Sequence, residues 1–197
     1  QQAKILMRPM NRILPRLWNQ FFYAAHQQIE MSPRISIVMP VWNGERYLRE
    51  AVDSILNQSF KDLELLVVDD GSTDGTGKIL QDYTDSRLRV LSLSHAGIVV
   101  ALNYGLAQAR APWIARQDAD DISLTRRLET QWQALRRNPQ AVLCHTDVAF
   151  INEGGHSVGH ARLPRTQSFT ALRLCYQCPI IHSTVLFKKS AALAAGG

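Results

Sequence analysis

The chain has little cysteine, no long apolar run and no basic patch over most of its length. Three cysteines in 197 residues, an odd count, do not make a disulfide framework, and no secretory signal pattern is present. Both point to a reducing, cytoplasmic setting. No apolar run approaches the roughly 18 residues that a membrane-spanning helix needs. Net charge is +5, but Lys4, Arg8, Arg12 and Arg16 against Glu30 give residues 1–30 a charge of +3 and leave +2 for the remainder. A nucleic-acid footprint on the body of the chain is therefore not indicated. What is present is a globular composition, 46% hydrophobic and 20% charged, on a length that allows one domain with its own core.

Residues 1–30 differ from the rest. Ile5 to Trp18 mixes bulky apolar residues with arginines, and Pro9 and Pro15 would break a long helix. The segment reads as a basic, peripheral extension. The alternative is contact with an anionic membrane surface, at the inner face of the plasma membrane. Met31 opens a stretch that would serve as a native start, and residues 31–197 read as the domain.

Within that domain apolar runs alternate with helical periodicity. Ile35 to Met39 is a strand ended by Pro40, and a helix is expected from Glu45 to Gln58. Leu63 to Val68 is a second strand, with Ser72 or Thr73 able to cap a helix through Tyr83. Arg89 to Leu93, a helix from Gly97 to Gln108, and a strand from Trp113 to Gln117 follow. A helix is expected from Leu124 to Arg137, then a fifth strand from Ala141 to Cys144. Residues 148–167 read as a loop or hairpin over the site, Ser168 to Tyr176 as a short helix, Ser183 to Phe187 as a strand, and Lys188 onward as a helix. This order predicts an α/β fold, a mostly parallel sheet with helices on both faces.

Two acidic clusters end strands of that sheet, Asp69-Asp70 and Asp118 to Asp121. Both should open on the carboxyl edge, where such sheets bind ligands. Asp118 and Asp120 have a D-x-D spacing and point the same way in an extended segment. Converging carboxylates repel unless a cation joins them, and Mg²⁺ or Mn²⁺ takes such oxygens together with substrate phosphates. One cluster can accept hydrogen bonds from a base or ribose while the other holds a metal on a diphosphate, so a nucleotide fits. The alternatives are a solvated acidic turn at Asp118 to Asp121 and a helix-capping turn at Asp69 to Ser72.

Three stretches in this order resemble the family 2 glycosyltransferases: Ile37 to Asn43, Val67 to Thr76, and Gln117 to Asp121. The resemblance covers residues 34–190 and implies the GT-A fold and inversion at the anomeric carbon. By it, Pro40, Val41 and Trp42 line the base pocket with Asn43 beside them, and Asp70 accepts from the base. Asp118 lies near ribose and metal, and Asp120 holds the metal. Glu45 and Asn103 are further donor-pocket candidates, and His182, Ser183 and Thr184 fall on the acceptor side. It implies a nucleotide-diphosphate sugar donor, a UDP-sugar first, and a saccharide or lipid-linked acceptor. The setting would be cell-surface polysaccharide or glycoconjugate synthesis.

The family carries its general base in an acidic motif after the segment that ends here, so the base is expected beyond Gly197, with Asp147 or His145 as internal substitutes. Cys175 to Cys178 is a C-x-x-C that could join Cys144, His145 and His182 around zinc, or be reduced cysteines without a ligand. Two rivals remain: a metal-dependent nucleotidyltransferase and a nucleotide-sugar-binding fragment without turnover. The first would carry a Gly-rich basic loop after the first strand, and Val41 to Gly44 is not one.

Overall fold

The computed structural model describes residues 32–163, 178 and 180–196. Residues 1–30 and the helix expected over Ser168 to Tyr176 lie outside the described residues. Strands β1 (Ile35–Val41), β2 (Leu63–Asp69), β3 (Leu88–Ser92) and β4 (Trp113–Arg116) form the parallel part of a six-stranded sheet. Two short strands, β5 (Leu143–Cys144) and β8 (Leu186–Lys188), complete it in the order β3-β2-β1-β4-β8-β5. All seven residues of β1 are buried. A central strand covered on both faces needs such a nearly continuous apolar run, and its one hydroxyl, on Ser36, donates to Glu64 Oε1 (2.6 Å).

Helices α1 (Leu48–Leu56), α2 (Thr76–Gln81) and α4 (Arg127–Arg137) pack on the face that carries Ile35, Ile37 and Met39. Helix α3 (Ile98–Gln108) covers the opposite face, over Val38, Leu66 and Val68. It lies directly on β1, since a Cβ at Gly105 would come within 2.5 Å of Val38 Cγ1. On α1, Leu48, Ala51, Val52, Ile55 and Leu56 are buried. Truncating one such leucine or isoleucine to alanine typically costs ~2–5 kcal/mol.

Three helix starts differ from the sequence expectation, each for the same reason. Helix α1 begins at Leu48 rather than Glu45, because the amides of residues 43–45 are taken by the next loop. Asn43 N donates to Ser72 Oγ (2.9 Å), Gly44 N to Thr76 Oγ1 (2.9 Å) and Glu45 N to Asp74 Oδ2 (3.0 Å). Ser72 therefore caps the first loop and not its own helix, which begins at Thr76; Thr73 does not cap it either. Helix α4 begins at Arg127 rather than Leu124. The carbonyls of Ser123 and Leu124 accept from Gln58 Nε2, and that of Thr125 accepts from Ser59 N, which ties this stretch to the end of α1.

The far edge of the sheet also differs. The fifth strand does not extend the parallel set. β8 runs antiparallel between β4 and β5 and pairs with both. The strand expected from Ser183 begins only at Leu186, since His182–Thr184 is a 3-10 turn. There Thr184 Oγ1 donates to Ile181 O (2.6 Å), the local bond by which a threonine competes with a strand ladder. The segment expected as loop or hairpin forms a hairpin, β6 (Val148–Ile151) with β7 (Ser157–Ala161), and Lys189–Ala194 forms α5. Among the described residues no helix is long and apolar enough to cross a membrane.

Candidate active site

The order β3-β2-β1-β4 reverses its progression at β1, which marks the crevice where parallel sheets bind ligands. β4 pairs with β1 only as far as Val38–Arg116, whereas β1 continues to Val41. Pro40, which has no N–H to donate, therefore sits where no β4 residue stands opposite. Beside it, a Cβ on Gly44 would lie 3.9 Å from that of Ala119, so the loop after β1 meets the loop after β4.

The turn after β2 consumes its own carboxylates. Asp70 is 4% exposed and accepts from Ala96 N (2.7 Å) and Gly97 N (2.8 Å), with His95 Nδ1 at 3.3 Å. The Ala96 amide first, then that of Gly97 and His95, hold its carboxyl below the ordinary value against the cost of burial. Gly97 has φ +89, a conformation that suits glycine. Asp69 Oδ1 accepts from Ser72 N, and Glu45 Oε2 accepts from Gly75 N (2.6 Å). Asn43 Oδ1 accepts from Thr73 N (2.8 Å), so Asn43 and Glu45, both donor-pocket candidates, lock the two loops together. Val41 is buried, while Trp42 is 56% exposed and stacks on His95, ring centroids 4.6 Å apart. His95 is the partner that the sequence did not single out.

The loop after β4 treats its carboxylates differently. Asp118 pairs with Arg116, whose side chain is almost wholly buried. Among the described residues no hydrogen bond or ion pair engages the exposed Asp120 carboxylate. Partial burial, then the charges of Asp118 and Asp120, raise the Asp121 carboxyl above its ordinary value, against the opposing influence of Ser183 and Arg116. The backbone of the loop is held from beneath: Gln117, 1% exposed, donates from Nε2 to Asp121 O (2.8 Å) and Asp118 O (3.3 Å).

Asn103 and His182 meet Arg116 around a cavity of about 650 Å³ on the α3 face, not in the loop pocket with Trp42. Burial, then Arg116, lower the His182 pKa. Ser183 and Thr184 are buried, so within this turn only His182 is exposed. Asp147 accepts from Leu163 N (2.8 Å) across the foot of the hairpin. Arg46 at the start of α1's loop pairs with Glu153 at the hairpin tip (3.0 Å). Burial pushes the Cys144 thiol up to about 11, Cys178 is exposed, and Cys175 lies outside the described residues. Among the described residues no three His, Cys, Asp or Glu side chains gather to hold a metal by themselves, so the zinc alternative through Cys144, His145 and His182 has no support here.

A mostly parallel sheet that opens at its central strand on a locked polar loop and an acidic loop has the architecture of the GT-A fold. The glycosyl transferase family 2 model matches residues 36–193, and the chain belongs to that family. It is 34% identical over 163 residues to the putative glycosyltransferase EpsE of Bacillus subtilis strain 168, covering 81% of this chain and 58% of that protein. It is 32% identical over 166 residues to the O-antigen biosynthesis glycosyltransferase WbnJ of Escherichia coli, covering 83% and 65%. The chain thus spans less than two thirds of the length of these relatives. Among solved structures it is similar to S. aureus TarS 1-349 in complex with UDP-GlcNAc, at TM-score 0.65 and 23% identity over 82% of this chain and 47% of that one. It is also similar to the mannosyltransferase PcManGT of Pyrobaculum calidifontis in complex with GDP-Man and Mn²⁺, at TM-score 0.63 and 20% identity over 91% and 54%.

Proposed function

We propose that this chain is the donor-binding part of a metal-dependent, inverting glycosyltransferase that takes its sugar from a nucleotide diphosphate, a UDP-sugar first. The observation that carries the reading is the acid loop, where Asp118, Asp120 and Asp121 follow the buried end of β4 at one end of the crevice and, among the described residues, the exposed Asp120 carboxylate is unengaged. Hard carboxylate oxygens in that number fit Mg²⁺ or Mn²⁺, which needs only one or two protein carboxylates beside phosphate oxygens. Asp118 and Asp120 would hold the ion. Bound there, it stabilises the charge of the leaving diphosphate.

The other groups divide the work. The base stacks on the exposed face of Trp42, beside His95. Asp70 presents a carboxylate with roughly four acceptor sites, of which backbone amides use two, and the base takes a further one. Pro40 and Val41 wall the pocket, Asn43 and Glu45 fix it, and Asn103 and His182 face the sugar and acceptor side. No described residue is assigned as the base that takes the acceptor hydroxyl's proton; Asp147 is occupied at the foot of the hairpin. The O-antigen biosynthesis in the name of the Escherichia coli relative favours a role in cell-surface polysaccharide synthesis, with a saccharide or lipid-linked acceptor.

The test is calorimetry of UDP-, GDP- and ADP-sugars with Mn²⁺ and with EDTA. One nucleotide should bind best, and its affinity should fall at least roughly tenfold, about 1.4 kcal/mol, in EDTA. Equal affinities across nucleotides and metal conditions overturn the reading.

A further inference from the structure

Arg127 opens α4 and is half-buried, yet no carboxylate is among its hydrogen-bond partners. Its guanidinium donates instead to neutral oxygens. Nη1 reaches Gln117 Oε1 (2.7 Å) and Ser123 Oγ (2.7 Å), Nη2 reaches Arg116 O (2.8 Å), and Nε reaches Gln131 Oε1 (3.3 Å). A buried charge normally takes a counter-ion. Here burial pulls the pKa down to about 10, with the charge of Asp121 the largest opposing influence, so the residue stays cationic at neutral pH.

The contacts continue to the acid loop. Gln117 fixes one end of its amide on Arg127 and Ser123, and its other end donates to the carbonyls of Asp118 and Asp121. Gln131 fixes its Oε1 on Arg127 and donates from Nε2 to Thr184 O (2.8 Å), in the turn that carries His182. A planar fork of donors can hold several acceptors at set angles, and a lysine cannot. The charge of Asp121, at the end of the acid loop, also acts on this cation.

We propose that Arg127 is a positioning residue. Through Gln117 it sets the geometry of the Asp118–Asp121 loop, so that the loop accepts a divalent cation together with a nucleotide diphosphate. This rests on the metal-dependent reading of the same loop given above.

The experiment is calorimetry of the best-binding nucleoside diphosphate on the full 197-residue chain, with Mn²⁺ and with EDTA, for the wild type, Arg127→Gln, Arg127→Lys and Leu135→Ala. The readout is the ratio of the two affinities, which general loosening of the helix does not alter selectively. Arg127→Gln is expected to lose most of the metal-dependent gain while affinity in EDTA holds. Arg127→Lys should retain part of the gain, and its milder change keeps the test open where the glutamine variant does not fold. Leu135→Ala loosens the same helix from its buried face and leaves Arg127 with all its partners, so it should keep the full ratio whatever its melting temperature. A wild-type ratio in Arg127→Lys and Arg127→Gln, or an equal loss in Leu135→Ala, overturns the inference. A wild type without metal dependence overturns the functional reading itself, and with it this one.

Discussion

The turns that follow β2 and β4 flank the same central strand, both are rich in aspartate, and they use their carboxylates in opposite ways. After β2, Asp69, Asp70 and Asp74 accept backbone amides and hold three loops in one arrangement. After β4 the backbone is held by Gln117 and Arg127, Asp118 pairs with Arg116, and among the described residues the exposed Asp120 carboxylate is left without a partner. A turn whose acids are satisfied by its own chain makes a rigid wall. A turn that leaves an acid exposed keeps its charge open to whatever enters the crevice. The same residue type thus locks the loops on one side and presents an exposed carboxylate on the other.

Exchanging one acid in each turn gives the sharpest break. Asp120→Asn should lower nucleotide affinity in Mn²⁺ at least roughly tenfold, about 1.4 kcal/mol, with little change in melting temperature. Asp70→Asn should do the reverse: melting falls by several degrees, and the ratio of affinities with and without metal is kept. Calorimetry paired with thermal melts reads both, and equal behaviour of the two variants would erase the contrast.

Acid titration sharpens the comparison, because the two turns carry opposite signs. Burial alone would raise the Asp74 carboxyl, but hydrogen bonds from Thr76 and from Glu45 N outweigh it and lower the pKa below 3.8. Its contribution to stability is present above 3.8 and fades as pH falls through the lowered value. Asp121 is raised above 3.8, so its contribution is present below that value and is lost as pH rises through the raised one. In EDTA, Asp74→Asn should therefore melt lower than wild type at pH 7, with the gap closing below pH 3.8. Asp121→Asn should melt higher at pH 7, and that advantage should vanish on acidification. Melts across the range from pH 7 to 3 decide it.

The smallest effect belongs to the rim. Trp42→Ala removes the exposed stacking face and should weaken nucleotide binding about fivefold, roughly 1 kcal/mol. The loss should be equal in Mn²⁺ and in EDTA, since stacking acts on the base and not on the diphosphate. A loss confined to Mn²⁺ would place Trp42 with the acid loop instead.

The strands of the parallel set were legible because Ile35 to Val41 and Leu63 to Val68 are apolar but for Ser36 and Glu64, a signal carried by the residues themselves. Helix starts were not legible, because Ser72, Asp74 and Thr76 satisfy amides thirty residues away and no local pattern records that. The insertion of β8 was hidden for the same reason, since its pairing with β4 depends on the chain's return. Within the site, the aspartates stood out by spacing. Their supports did not: Arg116, Gln117 and Arg127 read as polar residues at element ends. One signal was available, since a polar pair such as Arg116-Gln117 at the end of a buried strand must find partners. His95 carried no comparable mark.

The late return of β8 has a consequence for how the protein is made. β1 to β4 leave the ribosome first, and β4 then presents an outer edge that only Leu186–Lys188 will cover. Roughly 70 residues separate the two strands, which take roughly 4–14 s to synthesise at ~5–20 residues per second. For that interval the backbone of Trp113 to Ala115 is an open template for pairing with another nascent chain. Brevity limits the hazard, because a four-residue strand offers a stranger little to hold.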